Sequence, residues 1–204
     1  MKKRKKIIGI ILAAAIIGIW AVRYYTHNDG FAVKYDMEHE YFELGEIVEF
    51  GDDRPVFNIS CKGYSVRVNG VKFYEPDEYI KMYSKEDVSL KNYPEKVVEL
   101  DVTFFNSDNE TDGLQFYPMQ LLGKDWFMTM DPELIALANP IYENDSSQAY
   151  GIILRPDSSY DMKLVYGLHD YYFPEERWNN IENEEMWLEI TIMPTDKLIK
   201  LFED

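Results

Sequence analysis

Val97-Val98-Glu99-Leu100-Asp101-Val102-Thr103-Phe104-Phe105 is the stretch that decides the fold. Val98, Leu100, Val102 and Phe104 alternate with Glu99, Asp101 and Thr103, the two-residue period of a strand with one face on a core and the other toward water. The same period recurs downstream. Tyr160, Met162, Leu164 and Tyr166 alternate with Asp161 and Lys163. Met186, Leu188, Ile190 and Ile192 form a face opposite Trp187, Glu189 and Thr191, and Tyr150, Ile152 and Leu154 a fourth. Shorter strands are expected over Glu43 to Phe50 and Tyr64 to Val68. Asn69-Gly70, between Tyr64–Val68 and Val71–Tyr74, is either a two-residue hairpin turn or a bulge, because both tolerate positive φ. Helix signals are few. Asp131 caps a single short helix from Pro132 to Ala138, closed by Asn139-Pro140, and Pro76 to Lys85 is a second candidate. Seven to nine short strands in roughly 160 residues therefore predict a mainly all-β domain, an antiparallel β-sandwich with one or two short helices.

The chain has 204 residues, 46% of them apolar, with 21 Lys plus Arg against 37 Asp plus Glu and a net charge of -16. At this length roughly 70% of the unfolded chain's surface can be buried, so a single domain with a real core is expected. One cysteine (Cys61) and three histidines exclude a disulfide framework and a Cys/His zinc cluster.

The amino terminus sets the compartment. Met1 to Lys6 (MKKRKK) is basic, and Ile7 to Val22 (IIGIILAAAIIGIWAV) carries no charge. Sixteen residues of helix span about 24 Å, which Tyr24 and Tyr25 extend into the headgroup belt, where Trp20 also belongs. The positive-inside rule then puts residues 1–6 in the cytoplasm, a transmembrane anchor at 7–25, a stalk at 26–42 and a sandwich domain at 43–204 outside the cytoplasm. Cleavage after Ala13-Ala14-Ala15 is the competing reading, but it leaves apolar sequence unused beyond the site. Beyond Arg23 the charge is 15 basic against 37 acidic residues, a net of -22. Such a domain is repelled by phosphate backbones, which excludes nucleic acid as a partner and favours cationic ones.

The order of motifs carries a resemblance. Glu43-Leu44-Gly45-Glu46-Ile47-Val48, the strand Val97 to Phe105 ending at Asn106, Gln120 to Pro140 (QLLGKDWFMTMDPELIALANP) and Leu154-Arg155-Pro156-Asp157-Ser158-Ser159-Tyr160 together resemble uncharacterised, N-terminally anchored extracytoplasmic proteins of Gram-positive bacteria with one immunoglobulin-like β-sandwich. The resemblance implies that fold and that location, and it supplies no catalytic residues. A bare apolar helix stands here where many such proteins carry a lipid-attached cysteine.

Two loops offer chemistry. His169-Asp170-Tyr171-Tyr172-Phe173-Pro174-Glu175-Glu176-Arg177-Trp178 joins two strands and brings aromatic rings next to carboxylates. His169, Tyr171, Tyr172 and Trp178 are thus candidate ligand-binding residues for a sugar or a cationic peptide. The alternative is that Tyr172, Phe173 and Trp178 fold back over the end of the sandwich. Asp108, Glu110 and Asp112, with Gly113 next, space oxygen donors as a calcium loop begins. The twelfth position is Met119 rather than a bidentate Glu, so a solvated inter-strand loop is the main reading, no cofactor is expected and calcium is the alternative. No nucleophile elbow, zinc helix or phosphate loop is present, and Asp52-Asp53 and Glu175-Glu176 are uninformative in so acidic a chain. The expectation is a membrane-anchored, non-catalytic binding domain whose partner is a protein, a cationic peptide or an envelope component. An accessory subunit of a membrane complex and a carboxylate-based envelope hydrolase are the alternatives.

Overall fold

The computed structural model describes residues 14–24, 38–55, 60–84, 90–110, 113–142 and 148–202. The chain divides into two units, Met1–Asp36 and Met37–Asp204. In the first, helix α1 covers residues 14–24. Ile16, Ile17, Ile19, Trp20 and Val22 are all exposed on it, and Trp20 stacks on Tyr24 with ring centroids 5.3 Å apart. Among the described residues no helix is long and apolar enough to cross a membrane. The basic block, the expected anchor from Ile7 to Ala13, Tyr25 and stalk residues 26–37 lie outside the described residues.

The second unit is a β-sandwich. Strands β1 (Glu38–Phe42), β11 (Thr195–Lys200), β10 (Trp187–Thr191), β6 (Gln120–Leu122) and β7 (Phe127–Met128) form one sheet in that order. Strands β2 (Ile47–Glu49), β3 (Tyr64–Tyr74), β4 (Lys96–Asn106) and β9 (Ser158–Leu168) form the other, and β5 (Leu114–Gln115) pairs with β8 (Gly151–Ile152) at one end. Val98, Leu100, Val102 and Phe104 of β4 are fully buried, as their alternation requires, and Met162, Leu164 and Tyr166 of β9 bury beside them. From the opposite sheet Leu121, Leu188, Ile190 and Ile199 complete the core. Each such side chain contributes about 1.5–3 kcal/mol by leaving water.

Helices α2 (Pro76–Tyr83) and α3 (Pro132–Ala138) cover the outer face of the four-stranded sheet. Tyr79 of α2 is fully buried against Tyr74, ring centroids 5.5 Å apart. Beneath it Glu99, 4% exposed, accepts the Tyr83 hydroxyl at 2.7 Å. Asp131 caps α3, its Oδ1 accepting from the backbone N–H of Glu133 and Leu134 at 2.9 and 3.1 Å. Among the described residues no helix packs to a like extent on the five-stranded sheet, and that asymmetry positions the site.

Several elements differ from expectation. The sandwich is not wholly antiparallel, because β1 pairs with β11 in parallel. That strand occupies the last five residues of the expected stalk. Its sequence, EHEYF, is exposed from Glu38 to Tyr41 and shows no apolar alternation to betray it. Asn69-Gly70 is a bulge within one continuous β3, with a register shift between Val68 and Gly70. β11 shows no clean alternation, because Lys197 shares its inward face with Ile199 while Leu198 points outward.

Candidate ligand-binding face

The open face of the five-stranded sheet follows from the strand period. Leu188 and Ile190 point into the core, so Trp187 and Glu189 point out, and the register places Leu122 beside Trp187 and Leu198 beside Glu189. Across β11, Tyr41 of β1 sits opposite Leu198 and His39 opposite Asp196. The Tyr41 and Trp187 rings meet edge-on with centroids 5.4 Å apart, an arrangement favoured by their quadrupoles. Tyr41 is 63% exposed.

These two rings flank a cavity of about 830 Å³ whose floor is Leu122 and Leu198 and whose rim includes Glu184, Glu185 and Lys124. The rim is held by charge. Arg177 donates to Asp125 at 2.5 Å and to Glu184 at 2.8 Å. Glu184 also accepts the Trp126 indole N–H at 3.1 Å, and Glu185 that of Trp187 at 2.8 Å. A side chain on Gly123 would strike the Trp126 ring at 2.2 Å, so this corner needs glycine to let the indole lie flat.

Farther along the same face lie three titratable groups. His39 Nδ1–H donates to Asp196 Oδ2 at 2.9 Å. The other oxygen of Asp196 is buried without a hydrogen-bond partner, in a residue 6% exposed. Burial raises the Asp196 carboxyl, partly offset by the hydrogen bond and charge of His39. The Glu189 carboxyl is pushed up to about 7, first by burial and then by the charge of Asp196. The face thus combines π surfaces with carboxyl groups that are under-solvated, a setting that accommodates cations and hydrogen-bond donors.

The residues singled out from sequence are only partly brought together. His169 is buried, its Nδ1 3.1 Å from Glu95, and stacks on Tyr171 with centroids 5.1 Å apart. Tyr171 and Tyr172 contact each other at 4.3 Å and are exposed. With Lys91, Met130 and Glu133, His169 and Tyr172 border a separate cavity of about 440 Å³. Trp178 does not join them. It packs on Phe173 at 5.7 Å, and Phe173 meets Trp126 edge-on at 5.3 Å, so the second half of the loop folds back onto the core.

The loop after β4 is organised by the protein itself. Asn106, 2% exposed, donates through Nδ2 to the carbonyls of Asn109 and Leu154, both at 2.8 Å, and accepts from Asn109 N–H at 2.8 Å. Asp108 Oδ1 takes the Ser107 hydroxyl at 3.1 Å, and Asp112 lies outside the described residues. Among the described residues no group of three or more His, Cys, Asp or Glu is placed to hold a metal ion.

Tyr41, Trp187, Glu189 and Asp196 were not expected as site residues. Trp187 and Glu189 were visible as the outward set of β10, and a tryptophan facing away from a core was the usable signal. Tyr41 and Asp196 had none, because their strands lack the alternation that reveals a face.

Fold and face together define a β-sandwich protein with an aromatic pair on the outer face of its five-stranded sheet. The chain belongs to the family described as a domain of unknown function, DUF5028, whose model matches residues 39–197. It is similar to a solved structure described as an uncharacterized β-sandwich protein from Clostridium difficile 630, at 11% identity and a TM-score of 0.40, over 82% of this chain and 98% of that one. No curated protein matches this chain.

Proposed function

We propose that this protein is a non-catalytic binding domain displayed on the outer side of a cell membrane, with residues 1–6 in the cytoplasm, 7–25 as the anchor and an immunoglobulin-like sandwich outside. The observation that carries the reading is the Tyr41–Trp187 pair on the outer face of the five-stranded sheet, with the carboxyls of Glu189 and Asp196 on the same face. An exposed Tyr41 ring and a partly exposed Trp187 ring beside acids suit a cationic protein or peptide segment of the envelope, through cation–π contact and charge pairing. The net charge of -22 beyond Arg23 adds long-range attraction for the same class of partner. The His169–Tyr171–Tyr172 cluster is a second contact surface under this proposal, and neither surface calls for calcium.

The test is a titration of the full-length protein, in detergent micelles, with a short oligolysine peptide and an oligoglutamate control, read by tryptophan fluorescence. The expected result is saturable oligolysine binding that weakens about tenfold in Trp187→Ala and is absent for the control. Equal binding by the variant, or none by the parent, overturns the assignment of this face.

One observation favours the hydrolase alternative. Glu189 titrating near 7 beside a second carboxyl is the pattern of an acid and base pair. Turnover of an envelope glycan or peptide that disappears with Glu189→Gln would replace the binding reading.

A further inference from the structure

We propose that the free edge of β1 receives an extended cationic polypeptide segment as an added strand of the five-stranded sheet. This rests on the binding reading above and names the kind of partner. β1 ends the sheet, pairing on one side with β11, and among the described residues no strand covers its other side. An uncovered edge offers a row of backbone N–H and C=O groups to any strand that fits.

The other long edge is closed. Along β9, Asn139 accepts from Lys163 N–H at 2.8 Å and donates to Lys163 O at 2.9 Å, and Asp131 N–H donates to Val165 O at 2.9 Å. The remaining edge strands of the two sheets, β7 and β2, are two and three residues long. β1 has five residues, Glu38–Phe42, without lysine, proline or bulge, so the charges of Glu38 and Glu40 are what guard this edge.

Its side chains specify charge. Glu38 and Glu40 project to one face and His39 and Tyr41 to the other, all four exposed. A second copy of β1 would set glutamates against glutamates, which disfavours self-pairing, whereas alternate lysines or arginines complement Glu38 and Glu40. The opposite side chains of such a strand would continue the surface that begins at Tyr41 and Trp187.

The experiment uses the full-length protein in micelles and a fluorescent peptide of alternating threonine and lysine. Its comparison peptide has the same sequence with alternate backbone nitrogens methylated, which removes edge hydrogen bonds and keeps the charge. Anisotropy gives affinity, and hydrogen exchange with mass spectrometry locates protection. Expected are binding weakened about tenfold by the methylation, a similar loss in the double variant Glu38→Lys/Glu40→Lys, and slowed exchange within residues 38–42. Hydrogen exchange of the unliganded variant verifies that β1 stays paired to β11. Equal affinity of the methylated peptide overturns strand addition. If binding requires Trp187 while β1 gains no protection, the sheet-face reading stands and the edge inference falls. If no cationic peptide binds, both fall. Protection of β1 that rises with protein concentration alone assigns the edge to a second copy and also overturns it.

Discussion

The ammonium of Lys197 lies 2.7 Å from Oδ2 of Asp53, with side chains 10% and 12% exposed. Lys197 also donates to the carbonyls of Glu49 and Phe50, at 2.7 and 3.3 Å, and Asp53 Oδ1 accepts from Thr195 N–H at 3.1 Å. The inward-facing charge of β11 thus ties the start of the domain, just after β2, to its last strand. Removing one partner strands the other in a dry setting. Lys197→Met should lower unfolding stability by about 3–5 kcal/mol, and adding Asp53→Leu should recover part of that loss. Urea denaturation followed by tryptophan fluorescence measures both.

Glu189 makes stability fall as pH rises. Its folded carboxyl titrates near 7, raised from an ordinary 4.5 by burial and by Asp196. The folded state therefore holds a proton that the unfolded chain releases. The contribution is fully present below about 4.5, is lost as pH rises through 7, and then stays lost. Glu189→Gln should flatten this part of the profile and be the more stable protein at pH 8. The difference is on the order of 1 kcal/mol after allowance for solvent screening at a partly exposed group. Asp196→Asn should bring the Glu189 titration down, as read by NMR.

The two halves of the aromatic loop should respond oppositely to truncation. Trp178→Ala removes a ring packed on Phe173 and should cost about 2 kcal/mol or more. Tyr171→Ala and Tyr172→Ala delete exposed rings and should stay within about 0.5 kcal/mol. Thermal melts of the three variants check this, and a stability loss in the tyrosine variants equal to that of Trp178→Ala would refute the division.

Asn106 should prove the organiser of the loop that follows β4. Asn106→Ala leaves the Asn109 N–H and two carbonyls without their partner and should destabilise by about 2–3 kcal/mol. Millimolar calcium should leave the melting temperature of the parent protein unchanged. A rise that vanishes in Asp108→Ala would establish a calcium site instead.

How far the residues could be read in advance depended on the physics at each one. Strands β4 and β9 were legible because both of their faces have a fixed partner, core on one side and charge or helix cover on the other. Helix α3 was legible because Asp131, Pro132, Asn139 and Pro140 are local stop and start signals. Strand β1 was not, since a peripheral strand with four exposed residues has nothing to alternate against. The candidate face was half visible, in Trp187 and Glu189, and half hidden, in Tyr41 and Asp196.

By itself the sequence determined a mainly β sandwich with a single core, its short capped helices, its strong negative charge and its apolar amino-terminal segment. These are properties of composition and of near neighbours along the chain. The tertiary structure alone decided that residues 38–42 close the sheet in parallel with the last strand, that Lys197 turns inward to Asp53, and that Tyr41 meets Trp187 across β11. Each of these joins residues more than a hundred positions apart. Such pairings are set by which strand edges remain free once the locally encoded strands have packed, and no local period carries that information.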